Sequence, residues 1–90
     1  MASYKIEWKS SVRKDLKRVD RKFVPKLIDD VAALADNPFP VDSQKLFDTE
    51  RTYRVRSGDY RIIYQVDIKH KMVLVMYIRH RKDVYKKMSR

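Results

Sequence analysis

Hydrophobic and polar residues alternate with period two over Tyr4-Lys5-Ile6-Glu7-Trp8, which predicts a strand with one buried face. The period then lengthens. Val12, Leu16 and Val19 are spaced by four and three, predicting a first helix that Ser10 or Ser11 can cap. Phe23, Leu27, Ile28, Val31 and Leu34 line one side of a second helix, with Ala32, Ala33 and Ala35 filling in. Pro25 is tolerated only in a first turn, so this helix starts near Arg21 to Val24. Asn37-Pro38-Phe39-Pro40 stops it. The short connection between the two helices makes them an antiparallel hairpin.

After a polar loop, period two returns at Thr52 to Arg56, with Tyr53 and Val55 on one side and Arg54 and Arg56 on the other. Ser57-Gly58-Asp59 is a tight turn. Tyr60 to Asp67 is the next strand, and Met72 to Arg79, apolar on both sides, reads as a central one. The basic tail Lys82 to Met88 reads as helical. The expected order is β-α-α-β-β-β-α: one α+β domain over residues 1–90, its helix hairpin packed on one face of a mainly antiparallel sheet. Trp8, Met72 and Met76 are expected in the core, and Tyr53, Tyr60, Tyr64 and Tyr77 in sheet packing. His70, in a hairpin loop, is expected to be solvated.

Composition bounds the class. Ninety residues suffice for a single core, and 43% hydrophobic against 38% charged residues favours a folded chain over a disordered one. The chain has no cysteine, which excludes disulfides and thiolate metal sites and fits a reducing, cytoplasmic setting. Its N-terminus is charged where a signal peptide is apolar. The longest apolar run, Met72 to Ile78, falls far short of the ~20 residues a membrane helix requires, so no membrane partner is expected.

Charge changes the picture most. Of a net +10, nearly all lies in the last 40 residues, where 12 Lys and Arg face 3 acids; the first 50 hold 10 and 9. A domain loaded on one side in this way usually faces phosphates. Strand alternation puts Arg54 and Arg56 on a common face, about 7 Å apart, with Arg61 across the turn. Arg81 and Tyr85 follow the last strand four residues apart, on one side of a helix, and His80 adjoins Arg81. Guanidinium forks grip phosphate oxygens in pairs, and exposed tyrosines stack on unpaired bases, worth ~1–3 kcal/mol each. Arg79, Lys82, Lys86 and Lys87 add candidate RNA contacts.

Such groups suit single-stranded RNA. RNA carries its own nucleophile, the 2′-hydroxyl, so cleavage requires in-line positioning, charge stabilisation, a base and an acid. No metal or cofactor is called for. Arginine, with a pKa above ~12, serves as a cation and not as a base. Tyr85 among cations, or His80, is chemically suited to move the proton.

The segment Tyr53-Arg54-Val55-Arg56-Ser57-Gly58-Asp59-Tyr60-Arg61-Ile62-Ile63-Tyr64, followed by Ile78-Arg79-His80-Arg81-Lys82-Asp83-Val84-Tyr85, closely resembles the RelE/ParE superfamily of bacterial and archaeal toxins. The likeness extends over nearly the whole chain, including the β-α-α opening and the Leu-Ala-Asp-Asn-Pro end of the second helix. It implies a RelE-like, microbial-RNase-like fold. Arg81 and Tyr85 look more like RelE, an mRNA endonuclease of the ribosomal A site, than like ParE, which inhibits DNA gyrase.

Carried over by position, the RelE pattern implies that Arg54 and Arg56 stand where the family holds basic residues, commonly lysines, around the scissile phosphate. Arg61 and Arg81 match its phosphate-stabilising arginines, and Tyr85 the tyrosine that orients or deprotonates the 2′-hydroxyl. Arginine does not trade protons as lysine does, which makes His80 the more attractive acid. The resemblance further implies mRNA and the ribosome as partners, and a small, partly disordered RelB-like antitoxin. The alternatives are a ParE-like gyrase inhibitor and a non-catalytic RNA- or ribosome-binding module.

Overall fold

The computed structural model describes residues 3–46 and 51–82. In chain order the elements are β1 (Lys5–Trp8), α1 (Val12–Lys17), a single 3-10 turn (Arg21–Phe23), α2 (Val24–Ala33), β2 (Gln44–Lys45), β3 (Thr52–Ser57), β4 (Tyr60–Asp67) and β5 (Met72–His80). The strands form one sheet in the order β1-β5-β4-β3-β2. β1 runs parallel to β5, and every other neighbouring pair is antiparallel. The helices therefore carry the chain from one edge of the sheet to the other, and β2 to β5 meander back. A parallel pair requires such a crossover, and its consequence is that the helices cover one face only.

The expected α+β class and helix placement are present, with differences that have physical causes. Pro25 sits in the first turn of α2, where its missing N–H costs nothing. Ser11 is the N-cap of α1 but makes no side-chain cap bond. β2, two residues long, falls in the segment read as a polar loop, because two residues carry no periodicity. β5 is interior, as its apolar character predicts, but β4 holds the middle position. Trp8, expected in the core, is exposed, as are Phe23 and Ile28 of the second helix's apolar stripe.

The core lies between helices and sheet. Val12, Val19, Leu27, Val31 and Leu34 meet Val55, Ile62, Tyr64, Val66, Val73, Val75 and Ile78. Fully burying such side chains stabilises by roughly 1.5–3 kcal/mol each. Between the pairs Ile63↔Tyr77 and Tyr64↔Val75, β5 carries Met76 as an extra residue. This bulge resets the alternation. Val73 and Val75 face the helices, and beyond the bulge so do Ile78 and His80, while Tyr77 and Arg79 turn to the open face.

Tyr64 is wholly buried and donates its hydroxyl to the Pro38 carbonyl at 2.7 Å, tying the end of the helix layer to β4. Burial drives its pKa up to about 12, against the smaller opposing pull of the Ser43 hydroxyl. The folded protein thus holds this proton where the unfolded chain, titrating near ~10, releases it. The stabilisation is complete below pH ~10 and is lost as pH rises through about 12, amounting to roughly 2–3 kcal/mol. Urea midpoints measured from pH 9 to 12 are expected to fall more steeply for the wild type than for Tyr64→Phe.

Candidate functional site

The helix-free face of β3, β4 and β5 carries the basic residues. Register aligns Arg56, Arg61 and Arg79 in one cross-strand row and Arg54, Ile63 and Tyr77 in the next. Arg56 and Arg61 are directly opposed, an arrangement that repels. Both turn towards the β3–β4 connection: Arg56 Nε donates to the Gly58 carbonyl at 3.4 Å, and Arg61 Nη1 donates to it at 3.2 Å and to the Tyr60 carbonyl at 3.1 Å. Gly58 has φ of +60°, a left-handed conformation that glycine adopts without steric cost. Arg54 is held from the sheet edge, donating from Nη2 to Gln44 Oε1 at 2.9 Å, so the short β2 serves to orient it.

The third arginine of the row is different. Asp15 of α1 accepts from Arg79 Nη1 at 2.8 Å and from the Ile78 N–H at 3.1 Å. Their side chains are only 22% and 11% exposed for Arg79 and Asp15. β1 ends opposite Val75, and Asp15 takes over the β5 edge where that strand stops. Arg79, expected as an RNA contact, thus has its charge neutralised within the fold.

At the exit of β5, the Arg81 N–H donates to the Asp59 carbonyl at 2.8 Å, so Arg81 is pinned beside the turn that Arg56 and Arg61 address. Lys82 follows, exposed, in the same helical turn. His80 is paired with Tyr60 and shares its face with Ile78, the side away from Arg56 and Arg61. Its ring stands edge-on to Tyr60 at 5.4 Å, and its Nδ1 accepts from the Lys82 N–H at 3.3 Å. The structure brings Arg54, Arg56 and Arg61 together with Arg81 alongside, and directs His80 elsewhere. Tyr85, Lys86 and Lys87 lie outside the described residues.

The turn end of β3 is anchored from behind. Ser57, buried, donates its hydroxyl to Asp30 of α2, which also accepts from Lys26 Nζ at 2.8 Å. Burial raises the Asp30 pKa, but the bonds from Lys26 and Ser57 outweigh it and hold the carboxyl below its usual range. At the far hairpin, His70 is exposed as expected, with its Nδ1 at 2.8 Å from Asp67. Asp15 escaped the sequence reading. Its signal was an acid in the apolar stripe Val12, Asp15, Leu16, Val19, spaced i, i+3, i+4, i+7.

A sheet covered by helices on one side and bearing guanidiniums on the other defines a small α+β protein whose open face suits phosphate. The chain belongs to the ParE toxin family of type II toxin–antitoxin systems (parDE), whose model matches residues 6–85, and thereby to the RelE/ParE superfamily. Among its relatives, the toxin RelG of Mycobacterium tuberculosis is 24% identical over 85 residues, covering 93% of this chain and 98% of the relative. The toxin RelE of the same organism is 27% identical over 84 residues, covering 92% and 87%. In the crystal structure of the archaeal RelE–RelB complex from Pyrococcus horikoshii, the matching chain superposes with a TM-score of 0.78 at 28% identity, over 88% of this chain and 96% of that one.

Proposed function

We propose that this toxin is a metal-independent, ribosome-dependent endoribonuclease that cuts mRNA in the A site. The observation that carries the reading is the Arg56–Arg61 pair, two opposed guanidiniums with no carboxylate at ion-pair distance from Arg56 among the described residues. A phosphate between them relieves their repulsion and accepts their forks in pairs. Arg54 and Arg81 flank that position.

In the proposed reaction the 2′-oxygen attacks the adjacent phosphorus. A new P–O bond forms as the bond to the 5′-oxygen of the next nucleotide breaks, leaving a 2′,3′-cyclic phosphate and a 5′-hydroxyl whose proton comes from solvent water. The charge gathering on the phosphorane is met by Arg56, Arg61 and Arg81, preorganised by the turn. Tyr85 orients the 2′-hydroxyl or takes its proton. His80 stays outside this chemistry, since its ring is engaged with Tyr60 on the helix side.

The partner is proposed to be a RelB-like antitoxin, supported by the RelE–RelB complex of the archaeal relative and by the +10 charge of this chain. The ParE description of the family favours a second reading, inhibition of gyrase without RNA cleavage.

Primer extension on an mRNA undergoing translation in a reconstituted system separates the two. New 5′ ends within the reading frame, absent when ribosomes are omitted, are expected. Intact message together with blocked supercoiling would overturn the nuclease reading in favour of the second.

A further inference from the structure

Tyr77 differs from the other sheet tyrosines. Tyr64 is buried in the core, and Tyr53 and Tyr60 pack against it, whereas the Met76 bulge turns Tyr77 onto the open face, where it is 38% exposed. It lies one strand over from Ile63 and one register step from the Arg61–Arg79 pair, so the ring and the Arg61 side chain are diagonal neighbours on one surface.

The ring is also held in place. The Arg79 guanidinium lies 4.8 Å from its centroid, and Arg79 is in turn fixed by Asp15. Lys9 Nζ lies 5.6 Å from the same centroid. An exposed aromatic ring flanked by cations, one register step from the opposed Arg56 and Arg61, has the make-up of single-strand binding surfaces, in which bases stack on rings while cations follow the phosphates. Lys9, on a flexible stem, is free to exchange the ring for a phosphate oxygen.

We propose that Tyr77 forms a base-stacking subsite of the open face, receiving an unpaired nucleobase of the RNA strand whose phosphate sits between Arg56 and Arg61. Asp15 and Arg79 act as positioning residues for the ring. The proposal rests on the RNA reading above and extends it: phosphate contacts alone carry no base information, whereas a ring beside the scissile position makes stacking part of substrate choice.

The test uses the full-length toxin and a short single-stranded oligoribonucleotide containing 2-aminopurine, whose fluorescence is quenched on stacking. Anisotropy is read in parallel for the wild type, Tyr77→Phe and Tyr77→Leu, each checked for folding by thermal melting. The wild type and Tyr77→Phe are expected to quench and to bind alike, and Tyr77→Leu to lose the quenching and about tenfold or more in affinity. Equal quenching and affinity in Tyr77→Leu would overturn the subsite while leaving the RNA reading in place. Absence of RNA binding by the wild type, with all three proteins folded, would overturn the subsite, while the nuclease reading is decided by primer extension.

Discussion

Replacing Arg61 by alanine is expected to slow mRNA cleavage about 10²–10³-fold, the usual loss when one preorganised donor to a developing oxyanion is removed. Thermal stability is expected to change far less than the rate. The side chain gives two bonds to carbonyls at the β3–β4 turn, each worth about 1 kcal/mol. Against them stands its repulsion with Arg56, directly opposite in the ladder.

A site that binds a phosphate is thus a site where the unliganded fold carries avoidable like-charge contact. Arg61→Lys keeps the charge but loses the planar fork, and should recover only part of the rate. Rates come from single-turnover primer extension and stabilities from thermal melts. A folded Arg61→Ala protein that cuts at the wild-type rate would remove Arg61 from the chemistry. A large loss of stability would show that Arg61 holds the fold as well as the phosphate.

The second large effect belongs to Asp15. Asp15→Ala leaves a mostly buried Arg79 guanidinium unpaired and strips the Ile78 N–H of its acceptor at the edge of β5. Breaking one side of such a pair costs about 3 kcal/mol, a fall in melting temperature on the order of 10–20 °C for a chain of this size.

Removing both charges together, as Asp15→Leu with Arg79→Leu, should restore much of that loss, because apolar pairs of similar volume commonly match buried ion pairs. A double-mutant cycle in urea isolates the coupling. Additive single effects would mean that Asp15 acts through its bond to Ile78 alone. Asp15→Ala should also loosen the ring of Tyr77, since Arg79 stands between them.

Much of this protein was legible in one dimension, and for identifiable reasons. A helix or strand writes its own period into the residues it buries, so β1, β3, β4, β5 and both helices follow from local spacing. The position of Pro25 and the Ser57-Gly58-Asp59 turn follow from backbone chemistry that belongs to one or two residues. Arg54 and Arg56 share a face by alternation alone, and Arg61 joins them once the hairpin closes.

Three-dimensional packing decided the rest. Parallel pairing of β1 with β5, across more than 60 residues of chain, depends on the helix crossover and leaves no local mark. Which sheet face stays open depends on that same crossover, and it is what makes an arginine face into a site. The Met76 bulge shifts Tyr77 and Arg79 to the open side and His80 to the covered one, a reversal no alternation rule anticipates.

By itself, then, the sequence determined the element types, the α+β class, the excess of cations towards the C-terminal half and the arginines' common strand face, because each rests on near neighbours in the chain. Only the tertiary structure decided that Arg79 is spent on Asp15, that His80 faces Tyr60 and that Tyr77 stands exposed beside Arg61. Those outcomes depend on contacts between residues distant in sequence, where register and packing choose the partner.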